Sequence, residues 1–83
     1  MKIEDFFKSL GYEDNSTGQF YIFEKKVEKS LGGYWVSIHK NKNIKETSFS
    51  VLLDDRQNNE TILKYGADFN WISDFNDLIF KNK

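Results

Sequence analysis

The run from Gly33 to Asp54, GYWVSIHKNKNIKETSFSVLLD, decides the fold. Tyr34, Val36 and Ile38 alternate with Trp35, Ser37 and His39. Beyond a polar connector, Phe49, Val51 and Leu53 alternate with Ser48, Ser50 and Leu52. Successive side chains of a strand point to opposite faces. Each run therefore reads as a strand with one apolar face, and two such runs around a polar turn are a hairpin signal.

The flanking segments read as elements packed against that hairpin. On the N-terminal side, Gln19–Glu28 is rich in aromatic and β-branched residues and is expected to be a strand. Its apolar first half, with Phe20 and Ile22 on one face and Tyr21 and Phe23 on the other, is expected to be buried on both sides. Its charged second half is expected to be exposed. Residues 29–33, KSLGG, supply the turn into the hairpin. Residues 12–18, YEDNSTG, read as a solvated loop, because their short polar side chains compete for backbone hydrogen bonds. Over residues 2–10, Ile3, Phe6, Phe7 and Leu10 form a helical stripe, with Glu4 and Asp5 in the first turn and Gly11 as the stop.

On the C-terminal side, residues 55–60 are polar and loop-like, and Thr61–Tyr65 is a short candidate fourth strand ended by Gly66. From Asp68 the period becomes helical. Trp71, Ile72, Phe75, Leu78 and Ile79 share a face, and Asp68 or Asn70 can cap the start. The tail, residues 81–83, is expected to fray. The whole is a single α+β domain over residues 1–83. Its order is α-β-β-β-(β)-α, a three- to four-stranded antiparallel meander with both helices on one face. Phe6, Val36, Val51 and Phe75 are expected in the core. The order resembles the double-stranded-RNA-binding domain in topology alone. Such domains grip phosphates with a basic start to the second helix, and here that start reads Asp68, Asn70, Ser73, Asp74.

Composition narrows the function classes. The 83 residues carry no Cys, so no disulfide or thiolate metal site supports so small a core, and 8 Phe, 4 Tyr and 2 Trp must supply it. No segment reaches the roughly 18 apolar residues of a membrane span. The acidic N-terminal segment lacks the apolar run of a signal peptide. These features and the missing Cys fit a cytoplasmic protein. A strong preference for Lys over Arg, with abundant Asn, Ile and Phe and a single Ala, follows A/T-rich codons and points to an A/T-rich bacterium or one of its phages or mobile elements.

A net charge of −1 argues against nucleic acid as a partner held by bulk attraction. The lysines cluster within residues 25–45, but a meander divides them between opposite ends of the sheet. With one His and no Cys, hydrolytic triads and metal sites lack parts, and no cofactor motif appears. The reading is therefore a non-enzymatic protein-binding module with an unidentified protein partner. The size and codon bias fit an inhibitor of a host enzyme or defence nuclease. Its expected site is Trp35 with His39 and Leu52, on the strand face opposite the core. The alternative is a single-stranded nucleic-acid binder that stacks bases on Trp35 and holds phosphates with Lys25, Lys40 and Lys42. That alternative requires those lysines to share a face with Trp35. The weakly covered edge of the meander also leaves a homodimer open to it.

Overall fold

A computed structural model of the protein describes residues 2–27 and 33–81. Most of the expected 29–33 turn, and the last two residues of the tail, lie outside the described residues. Helix α1 spans Ile3–Ser9, strand β1 Glu13–Asp14, β2 Phe20–Lys26, β3 Trp35–Asn41, β4 Phe49–Asp54 and β5 Glu60–Ala67. Helix α2 spans Phe69–Asn76 and runs into a π-helical turn, Asp77–Lys81. The strands form one antiparallel sheet in sequence order, β1-β2-β3-β4-β5. This is the expected α+β meander, with more strand than the sequence pattern showed.

The extra strand comes from both ends. The expected loop at residues 12–18 contributes Glu13 and Asp14, which pair with Glu24 and Phe23. The candidate strand 61–65 extends to Glu60–Ala67, because Gly66 does not end it but sits inside it at φ 70°. Two shifts of register against β4 let β5 accommodate that geometry; such bulges also blunt an edge strand.

Both helices cover one face. Phe7 lies at the centre, stacked on Phe23 at 4.3 Å between ring centroids and edge-on to Phe49 at 5.3 Å. Phe6 meets Phe69 of α2 at 4.5 Å, so the helices touch each other as well as the sheet. Val36, Ile38, Val51, Ala67 and Ile72 complete the buried cluster. Of the expected core set, Val36 and Val51 are fully buried, while Phe6 and Phe75 are half-buried at its rim. The strand face expected from Tyr34, Val36, Ile38, Phe49, Val51 and Leu53 is the one that faces the helices.

Two local expectations are corrected. Phe20 is 41% exposed and Lys25 is half-buried, so β2 is not simply buried at its start and exposed at its end. Lys25 stands on the helix side, where its Nζ donates to the Leu10 carbonyl at 2.7 Å and lies 4.1 Å from the Phe80 ring. The cation thereby closes the C-terminal end of α1, where the helix dipole favours it. The apolar stripe of α2 also turns. A π-helical turn is wider than an α-turn, so the inward sequence runs Ile72, Asn76, Phe80, and Leu78 is left 63% exposed. Asp68 is the cap, accepting from the Trp71 amide at 2.8 Å. Among the described residues, no helix is long and apolar enough to cross a membrane.

Candidate functional site

The face of the sheet that carries no helix is the candidate site. Directly opposed residues of antiparallel strands share a face, so the register fixes its rows. One row runs Lys26, Trp35, Asp54, Glu60; the next runs Glu24, Ser37, Leu52, Ile62; a third runs Ile22, His39, Ser50. Trp35, His39 and Leu52 therefore do stand on one face, as expected from the alternation.

Their surroundings differ from a simple exposed ring. The loop after β4 folds back over Trp35, and the Arg56 guanidinium lies 4.3 Å from the Trp35 ring centroid. Asp54 Oδ1 accepts from the Arg56 amide at 2.9 Å, and Asp55 accepts from Gln57 and Asn59, which ties the loop into a fixed shape. Arg56 itself takes a left-handed conformation, φ 64°, uncommon for a residue with a Cβ. Trp35 is consequently half-buried, and Leu52, at 8% exposed, is buried rather than presented.

A polar chain crosses the face. Arg56 pairs with Glu24 at 3.2 Å, Asn15 Nδ2 donates to the same carboxylate at 2.8 Å, and the Ser37 hydroxyl donates to it at 3.3 Å. Ser37 Oγ in turn lies 2.6 Å from His39 Nε2. Burial alone would raise the Glu24 pKa, but the hydrogen bonds from Asn15 and Arg56, the Arg56 charge and the Ser37 hydroxyl outweigh it, so the carboxyl titrates below its ordinary range. The order is carboxylate, hydroxyl, imidazole. In a hydrolytic triad the imidazole stands between the other two, oriented by the acid and accepting from the hydroxyl. Here Ser37 is 3% exposed and its hydroxyl is shared between Glu24 and His39, so it is a link in a network rather than a nucleophile.

At the other end of the face, an open groove is lined by Phe20, His39, Asn41, Ile44, Glu46, Ser48 and Ser50. Phe20 and Ile44 are its exposed apolar walls. Lys40 closes its end from within, its Nζ donating to the Asn41 and Ile44 carbonyls. Among the described residues, no three His, Asp or Glu side chains gather closely enough to hold a metal ion.

The lysines of the nucleic-acid alternative are not beside Trp35. Lys25 is on the helix side. Lys40 is buried in the turn it braces. Lys42 lies 5.0 Å from the ring of Tyr21, a residue paired with Lys40 and so also on the helix side. The shared face that reading requires is absent for these three. Sequence reasoning missed Arg56, Glu24 and Asn15. The one available signal was that Arg56 is the single Arg of a Lys-rich chain, and Arg is the cation whose planar group stacks on rings and binds carboxylates in fixed geometry.

Comparison with known proteins matches the chain to no protein family, no curated protein and no solved structure.

Proposed function

We propose that the chain is a small protein-binding module that docks its partner on the helix-free face of the sheet. The observation that supports this is the preorganised character of that face. Trp35 is clamped between its strand and Arg56, Arg56 is fixed by Glu24, and Glu24 is fixed by Asn15 and Ser37. Around this rigid centre stand the exposed apolar side chains Phe20, Ile44 and Ile62. Rigid aromatic and arginine groups ringed by apolar contacts are the usual make-up of a binding hot spot, because little conformational entropy is lost on association. The role that fits this size and composition is an inhibitor of a host enzyme or defence nuclease, carried by a phage or mobile element and acting in the bacterial cytoplasm. Its support is the A/T-compatible composition.

The test uses the tagged chain and a lysate of an A/T-rich bacterium. The double variant Phe20→Ser, Ile62→Ser should keep stability within about 1 kcal/mol, since both side chains are exposed, and should lose a stoichiometric partner that the natural chain retains. The control Leu78→Ser, on the helix side, should keep it. Retention by the double variant, or loss by the control alone, sinks the reading.

A further inference from the structure

The sheet sorts charge between its two faces. The helix-free face carries Glu24, Asp54 and Glu60 by register, with Glu46 at the groove and Glu13 opposite Glu24. Against them stand Lys26, Arg56 and, in the groove lining, Lys40; Arg56 is already engaged by Glu24, and Lys40 by the Asn41 and Ile44 carbonyls. Three other lysines go the other way: Lys25 and Lys42 lie on the helix side, and Lys64 is paired with the core residue Val51. A chain of net charge −1 thus presents an acidic face with exposed apolar side chains.

From this complementarity, resting on the docking reading above, we infer that the partner surface is basic, with arginine or lysine around a protruding apolar side chain. The apolar group enters the groove between Phe20 and Ile44. The cations face Asp54 and Glu60, which lie side by side across β4 and β5. A second copy of this chain is the poorer occupant of the face, because acid would meet acid. A partner with an acidic surface is excluded on the same ground, since like charges brought together across an interface cost affinity.

The experiment titrates two peptides into the ¹⁵N-labelled chain and follows backbone amide shifts. One is a six-residue peptide of arginine and lysine around a central tryptophan; in the other, glutamate replaces every basic residue. The basic peptide should shift Glu24, His39, Asp54 and Glu60, leave Phe7 and Ile72 unmoved, and lose its effect as salt rises. The acidic peptide should do nothing. The variant Glu46→Lys, Glu60→Lys should weaken the basic peptide by about tenfold, as expected when two exposed charges are reversed, and should allow the acidic one to bind. Equal binding of both peptides to this face would overturn the charge inference while leaving the docking reading intact. Binding of the basic peptide on the helix side, or of neither peptide, would overturn the inference too. A lysate partner that still depends on Phe20 and Ile62 would then show that docking stands without it.

Discussion

The Arg56 guanidinium covers the Trp35 ring at 4.3 Å and reaches Glu24 at 3.2 Å. One exposed loop residue therefore joins a ring on β3 to a carboxylate on β2, neither of them near it in sequence. A cation over an exposed ring is worth about 0.5–1 kcal/mol, and an exposed ion pair about 0.2–1 kcal/mol. Arg56→Ala should cost about 1 kcal/mol by chemical denaturation. In a Trp71→Phe background it should also move the remaining Trp emission to the red as the ring meets water. Arg56→Gly should cost less than Arg56→Ala, because glycine takes φ 64° without strain. Equal losses for the two variants would show that the loop stores no backbone strain at Arg56.

Glu24 makes the same network sensitive to acid. Its carboxyl titrates below the ordinary range, because hydrogen bonds from Asn15, Arg56 and Ser37 outweigh the opposing effect of burial. A depressed pKa in the folded state stabilises the fold at pH values above the unfolded carboxylate pKa of about 4.3, and that stabilisation is lost as pH falls through the folded value. The stability gap between the natural chain and Glu24→Gln should therefore be constant from neutrality to about pH 5.5, then close progressively below about pH 4. A gap that instead grows on acidification would place the charge in an unfavourable setting.

How far this network was legible in the sequence follows from the range of each signal. The hairpin at Gly33–Asp54 was legible because a period of two is local, and so were Phe6, Phe7 and a cap at Asp68 or Asn70, which rest on spacings within one or two helical turns; only the fold chose Asp68. The strand Glu13–Asp14 was not legible: two residues have no period, and only β2 beside them makes them a strand. Trp35 was correctly assigned to the face away from the core, but its cover was invisible, since Arg56 meets it only through the fold of a loop. Leu52 was assigned to the right face and the wrong depth, because a strand residue between two others is shielded by neighbours that alternation does not count. The stripe of α2 misplaced Leu78 because a single wide turn shifts every later residue.

Tyr12 carries a buried polar atom at odds with its surroundings. Its ring is 6% exposed, packed edge-on to Phe7 at 5.5 Å, and its hydroxyl has no hydrogen-bond partner among the described residues. Burial raises its pKa well above the usual phenol range. Removing a buried group that lacks a partner relieves its desolvation cost. Tyr12→Phe should leave stability unchanged or raise it by up to about 1 kcal/mol. A loss of more than that in thermal or chemical unfolding would show that the hydroxyl is bonded after all.

The centre of the core and its rim should respond differently to truncation. Phe7 is fully buried among Phe6, Tyr12, Phe23 and Phe49, and Phe7→Ala should cost about 3–5 kcal/mol. That is a large share of the roughly 5–15 kcal/mol available to a folded domain. Phe75 is half-buried and stacks on Trp71 at 5.2 Å, so Phe75→Ala should cost about half as much. Comparable losses at the two positions, measured by urea unfolding, would mean that α2 is packed more deeply than its exposure indicates.

The pair Lys25 and Lys26 tests the register of the whole sheet. Two adjacent lysines of one strand are chemically equal in the unfolded chain, and alternation alone sends them to opposite faces. Lys25 pairs with Val36 and lies on the helix side, its Nζ held by the Leu10 carbonyl at 2.7 Å and placed over Phe80 at 4.1 Å. Lys26 pairs with Trp35 and is exposed on the helix-free face. Lys25→Ala removes a charged hydrogen bond to a helix terminus, a cation–ring contact and the packing of an aliphatic stem. Their sum is about 2 kcal/mol. Lys26→Ala removes a solvated side chain and should stay within about 0.5 kcal/mol. A slip of one residue in the β2–β3 pairing would exchange the two lysines between faces. Denaturation of the two single variants therefore reads the register directly: a large loss at Lys26 with none at Lys25 would put the acidic face, Trp35 and the proposed docking surface on the wrong side of the sheet.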